Sequence, residues 1–234
     1  LLQSVSRDDV SHVGFPFGTA KEITLGNLTA LAFRISYVGE LGWEIYAPME
    51  YGLLLWDSLW EAGQEHGIVP VGMGVYGTTG RLEKGYRAFG MELEKDYNPV
   101  EADLARTRVK QSDFIGKQAY LKAREQDPAA TLCTLSVDDQ NSPSGGVRYM
   151  LGNEPIMTME GNPIIDSHTR RSYVTSAGSG PSVGKHILLS YLPPEYAQPG
   201  TNLAVLYLGD LYPVTVEVVG GKALFDPEDS RMKI

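Results

Sequence analysis

The chain has a single cysteine, Cys133, in 234 residues. One thiol forms no intrachain disulfide, and the paired-cysteine spacings of structural zinc and iron–sulfur sites cannot be met. The four histidines, His12, His66, His168 and His186, are dispersed. None stands at the H-x-x-x-H or H-x-H spacing that aims two imidazoles at one metal, and no Ser-His-Asp or Cys-His set can be assembled. No catalytic residue and no metal ligand is therefore assigned. Long apolar runs are also missing: nothing approaches the roughly 18–20 residues of a membrane span, and the opening LLQSVSRDDVS lacks the blocks of a signal peptide. Positive charge is scarce. Twenty Lys and Arg against 29 Asp and Glu give a formal net charge of -9, which argues against nucleic acid or an anionic membrane as partner. The chain starts at Leu1 rather than methionine and reads as a piece of something longer. A reducing compartment is expected, cytoplasmic, or the mitochondrial matrix in a eukaryote.

What is present divides by texture. From Leu25 to Ala47 the chain alternates in period two, with Leu31, Phe33, Ile35 and Tyr37 on one face and Ala30, Ala32, Arg34 and Ser36 on the other. After the bend Gly39-Glu40-Leu41-Gly42 a second strand puts Trp43, Ile45 and Ala47 opposite Glu44 and Tyr46. Leu53, Trp56, Leu59, Trp60 and Gly63 then recur at helical steps, with Gly67 as the stop. Gly74, Gly77 and Gly80 would each cost a helix roughly 1 kcal/mol relative to alanine, so a helix there implies that something packs very close. Residues 114 to 127 again read as helix, ending at Asp127-Pro128, where the domain boundary is placed. Beyond it lie short alternating runs, TLCTLSV, PIMTM, SYVTSAG and HILLSYL, and a hairpin LAVLYL-GD-LYPVTVEV turning on Gly209-Asp210. The expected class is α+β, residues 1–127 forming a mixed domain and 128–234 a small antiparallel β-barrel.

Four groups carry candidate chemistry. Tyr37 and Glu44 flank the glycine-bounded bend, and a carboxylate there can accept two parallel hydrogen bonds, such as those offered by a pterin ring N–H and its neighbouring amine. Against this stands the ordinary reading of an exposed strand glutamate and a core tyrosine, which composition alone favours about three to one. In RLEKGYR, the residues Arg81, Glu83, Lys84 and Arg87 suit either an anionic tail or, more simply, a solvated charged face with local ion pairs. The glycines at 74, 77 and 80 match no phosphate-loop spacing. SAGSGPSVGKH, residues 176 to 186, reads as a flexible connection between strands.

The order Tyr37, Gly39-Glu40, Gly42, Glu44 resembles the signature of the glycine cleavage T-protein (aminomethyltransferase) family, and the resemblance extends over nearly the whole chain. VGELGWEIY, RLEKGYR, FIGKQAYL and the closing FDPEDSRMKI look most like its dimethylglycine oxidase, dimethylglycine dehydrogenase and sarcosine dehydrogenase branch. The resemblance implies a folate-binding α+β domain, its amino-terminal part missing here, followed by a β-barrel. It implies tetrahydrofolate as ligand, contacted by Tyr37 and Glu44, a one-carbon donor amine as partner, and FAD in an amino-terminal flavin domain of the same polypeptide. A stand-alone aminomethyltransferase, a folate-dependent demethylase and a non-enzymatic folate-binding assembly module are the alternatives. Two departures stand out: Gly77 replaces an arginine found six residues before the glutamate matching Glu83, and the family's key aspartate falls upstream of Leu1.

Overall fold

The computed structural model describes residues 1–105 and 107–233. The chain folds as two compact units: Leu1–Gly72 together with the last residues from Glu228, and Met73–Pro227. Among the described residues no helix is long and apolar enough to cross a membrane.

The first unit opens with a helical turn, α1 (Leu2–Val5), followed by an antiparallel sheet of β1 (Ala20–Leu25), β2 (Leu28–Phe33) and β3 (Glu44–Tyr46), in that spatial order. Gly26 sits at φ 59, the left-handed backbone that a tight β1–β2 turn requires. The inner face is made by Ile23 and Leu25 with Ala30 and Ala32, packed on Leu2, Val10 and Phe15 and on Leu55 and Leu59 of helix α2 (Gly52–Gly63). The helix ends through a tight turn at Gln64–His66 and Gly67 at φ 66, the stop that its sequence predicts. The small residues Ala30 and Ala32 thus face inward, into the cluster that Leu55 and Leu59 of the helix help to cover. The larger Leu31, 41% exposed, faces out.

The second unit begins with a short helical run: α3 (Met73–Val75), a π-helical stretch Tyr76–Gly80, and α4 (Arg81–Glu83). The close neighbour expected for this glycine-rich helix exists, but the glycine that admits it is Gly178 on the facing strand. A Cβ there would lie 1.8 Å from the Thr78 carbonyl oxygen. Gly74 and Gly77 themselves border open space. Helix α5 spans Lys117–Arg124, shorter than the expected 114–127.

Six strands follow: β4 (Thr131–Val137), β5 (Ile156–Met157), β6 (Val174–Gly180), β7 (Lys185–Leu192), β8 (Asn202–Tyr207) and β9 (Asp210–Val219). All pair antiparallel in the order β5-β8-β9-β4-β7-β6. The ends of the sheet meet. Pro155 bridges Tyr173, and Ile156 N–H to Ser172 and Val174 N–H to Glu154 complete the closure at 3.0 and 2.8 Å. Register shifts within the β4–β9 and β6–β7 pairs supply the added bend that a closed sheet needs. Inside lie Cys133, Leu135, Val137, Leu188, Val205, Val214 and Val216. The other face of β4 and β7 is also covered, Leu132, Ile187, Leu189 and Tyr191 packing on Leu82 and Ala102. That double burial explains why HILLSYL is nearly continuous in apolar residues.

Three expectations change. Residues 176 to 186 are mostly strand, β6 and β7, leaving only a short turn between them. The β8–β9 turn falls on Leu208-Gly209, at φ 52 and 90, because Asp210 already pairs with Tyr207. Strand β2 stops at Phe33, well short of Tyr37.

Candidate functional site

The bend between β2 and β3 is built locally. Beyond Phe33 the chain turns Arg34 inward, 1% exposed, with its guanidinium 4.6 Å over the Trp43 ring and a hydrogen bond of 3.1 Å to the Met232 carbonyl. Burial lowers the Arg34 pKa. Ser36 Oγ accepts the backbone N–H groups of Gly39 and Glu40, both at 3.0 Å, and Gly39 takes φ 84. Glu40 on the outside of the bend pairs with Arg231 at 2.5 Å. The return strand then places Glu44 directly across from Phe33, Ile45 across from Ala32 and Tyr46 across from Leu31.

This register sorts the side chains. Ile45 and Trp43 join the core. Leu31, Phe33, Glu44 and Tyr46 share the outer face, because cross-strand partners and alternate residues point the same way. Tyr46 donates its hydroxyl to Glu44 Oε2 at 2.7 Å, and its ring meets Phe33 edge-on at 5.3 Å between centroids. The bond to Glu44 raises the Tyr46 pKa, since losing the proton would set two anions side by side. Tyr37 lies within the bend itself, half-buried, as is Glu44. Both expected residues therefore flank one turn, on backbone of different kinds. A hydroxyl that engages Glu44 belongs to Tyr46, a residue to which the sequence motif gives no role. The signal was present: Glu44 and Tyr46 are two apart in a strand.

The charged motif RLEKGYR is not a solvated face. Arg81 is fully buried and donates to Gly77 O (2.6 Å), Tyr86 O (3.1 Å), Glu92 Oε2 (2.9 Å) and Ser176 Oγ (2.7 Å). Glu92, equally buried, also accepts from Ala88 N–H, Thr175 and Ser176. Glu83 accepts from Ser182 N–H at 2.6 Å, Lys84 donates to the Asp226 carbonyl at 2.6 Å, and Arg87 donates to Ala102 O. Each charge is desolvated but met by hydrogen bonds, the condition under which burial is tolerated. The motif ties the helical run to the barrel, so it is structural rather than an anion clamp. A cavity of about 890 Å³ in the same unit is lined by Leu104, Val109, Phe114 and Tyr120 with Arg108 and Lys110. Neither Tyr37 nor Glu44 lines it.

Comparison with known proteins bears on both units. The family model described as GCVT N-terminal domain matches residues 1–111. The model for the glycine cleavage T-protein C-terminal barrel domain matches residues 147–220. Human mitochondrial dimethylglycine dehydrogenase is 34% identical over 221 residues, covering 92% of this chain and 23% of that protein. An aminomethyltransferase of Geobacillus sp. (strain WCH70) is 32% identical over 207 residues, covering 88% of this chain and 52% of that protein. The solved glycine cleavage system aminomethyltransferase T from Bartonella henselae shares the fold, with a TM-score of 0.67 over 81% of this chain and 48% of that one, at 23% identity. The chain thus spans from 23% to 52% of the length of these relatives.

Proposed function

Because this chain belongs to the glycine cleavage T-protein family, we propose that it holds tetrahydrofolate for one-carbon transfer, with Glu44 binding the pterin head and Tyr37 lining the pocket. The observation that carries the reading is a half-buried carboxylate on an aromatic sheet face, at the end of a rigidly tied bend. That surface suits the ligand. A pterin is flat and presents a ring N–H beside an exocyclic amine, and a carboxylate with about four lone-pair sites accepts both while still engaging a phenol. Bound tetrahydrofolate supplies the amines that take up the one-carbon unit. The protein's share is to orient that acceptor and keep water from a reactive, diffusible carbon, so that effective concentration rather than a protein nucleophile drives transfer.

A finer reading places this region in a dimethylglycine- or sarcosine-type oxidoreductase, with FAD in a flavin domain of the same polypeptide and an N-methyl amine as donor. The 34% identity to a dimethylglycine dehydrogenase supports it. A stand-alone aminomethyltransferase is the second reading, supported by relatives of that name at 31–32% identity. The family-domain boundary is proposed at Asp127-Pro128, which falls in the interval between the two family matches at residues 1–111 and 147–220. The test is an assay of the full gene product. Dimethylglycine- or sarcosine-dependent dye reduction coupled to methylene-tetrahydrofolate formation is the expected result. Transfer without any amine oxidation would point to the second reading, and no tetrahydrofolate turnover or binding would overturn both.

A further inference from the structure

We propose that Tyr46 is the positioning residue of the folate site, fixing the Glu44 carboxylate in the orientation that receives the heterocycle; this rests on the function proposed above. Glu44 begins the edge strand β3. Ordering a carboxylate on a flat, two-point ligand costs rotamer entropy. The Tyr46 hydroxyl lowers that cost by holding Oε2 at 2.7 Å from two residues along the same strand face. Tyr46 is in turn held by the ring of Phe33, which meets it edge-on, at an interplanar angle of 73°, on the neighbouring strand. The order of support runs Phe33 to Tyr46 to Glu44, all on one sheet face. The phenol acts only as a donor while protonated. An ordinary phenol is protonated throughout the neutral range, and the bond to Glu44 shifts the Tyr46 pKa further upward.

The arrangement also selects a ligand class. A carboxylate whose geometry is set by a phenol prefers a rigid partner with two adjacent N–H donors in one plane over a flexible or anionic one. Leu31 and Phe33 beside it add an apolar floor for a ring.

Equilibrium dialysis of tetrahydrofolate against the chain tests this. Tyr46→Phe keeps the ring and its contact with Phe33 but removes the donor. Expected is a loss of affinity of roughly 3- to 10-fold, with an unchanged unfolding midpoint. The same substitution in a Glu44→Gln background is expected to cost nothing further, because its effect passes through the carboxylate. Wild-type affinity in Tyr46→Phe beside a weakened Glu44→Gln overturns the positioning role and leaves the folate reading intact. Additive losses in the double variant overturn it as well, since Tyr46 would then touch the ligand independently. Wild-type affinity in Glu44→Gln removes the folate reading together with this inference.

Discussion

Gly178 stands in the middle of β6, opposite Ile187 of β7, where the π-helical stretch crosses the barrel. A methyl group at Gly178 would lie 1.8 Å from the Thr78 carbonyl oxygen, 2.9 Å from its carbon and 2.8 Å from Leu82 Cδ1. Since C···O contacts settle at about 3.3 Å or more, the helix backbone must retreat by about 1.5 Å. Neither side can rotate away, as both are main chain. The retreat also pulls on Gly77 O and Arg81, whose hydrogen bonds reach Ser176 on the same strand. Overpacking of this kind costs about 1–3 kcal/mol, and loss of one charge-assisted bond about 1.5–3 kcal/mol more. Gly178→Ala is therefore expected to destabilise the second unit by about 3–5 kcal/mol, a large part of a typical domain's stability. Cys133 is the natural probe. It is fully buried in the barrel, and burial pushes its thiol pKa up to about 12, so it reacts only through opening. With reclosing faster than labelling, the rate follows the opening equilibrium and should rise roughly 100-fold or more. Trp43, Trp56 and Trp60 all belong to the first unit, so their fluorescence reports separately on it. Gly74→Ala, which meets open space, serves as the control and should be neutral or stabilising by about 0.4–1 kcal/mol. A Cys133 labelling rate unchanged in Gly178→Ala would refute the contact between Thr78 and β6.

Two further outcomes follow from buried polar groups. Arg81→Met leaves Glu92 and Ser176 without their cation and should cost roughly 3–5 kcal/mol, whereas adding Glu92→Met should recover much of it; denaturant midpoints that show no difference between the single and double variants would contradict this. His186 is 5% exposed, with Nε2 3.0 Å from the Met150 carbonyl and Nδ1 buried without a hydrogen-bond partner among the described residues, and burial holds its pKa below the usual histidine value. The unfolded chain takes up a proton near pH 6.5 while the folded site resists, so stability contributed here is intact above about pH 6.5 and lost as pH falls toward the folded value. His186→Leu should flatten the acid limb of the stability curve; an equally steep fall between neutral pH and about pH 5.5 would assign the acid sensitivity to other groups.

Periodicity made the elements legible but left their surroundings open. The β2 alternation is real, yet nothing in it says which face is covered, and the core forms on the alanine face rather than on that of Leu31 and Phe33. The charges of RLEKGYR look like surface when counted alone. Their partners Glu92, Ser176, Ser182 and Asp226 come from distant segments, and only the tertiary fold assembles them. For the β8–β9 hairpin the sequence points to a turn at Gly209-Asp210, one residue beyond the observed one. The ladder decided in favour of Leu208-Gly209, putting a leucine at φ 52 where glycine would have been easier. Residues 176 to 186 read from sequence as a flexible connection between strands, whereas Gly178 is small to admit a neighbouring backbone. At the candidate site, Tyr37 and Glu44 came from the motif, whereas Tyr46 follows from strand geometry once the register is known.

The central claim is that the Glu44 carboxylate holds a pterin, and the most direct measurement is the affinity of the chain for tetrahydrofolate with and without it. Loss of a charge-assisted pair in Glu44→Ala is expected to cost about 1.5–3 kcal/mol, a weakening of roughly 10- to 150-fold. Equal affinity in the two proteins would contradict the account and take Glu44 out of the site.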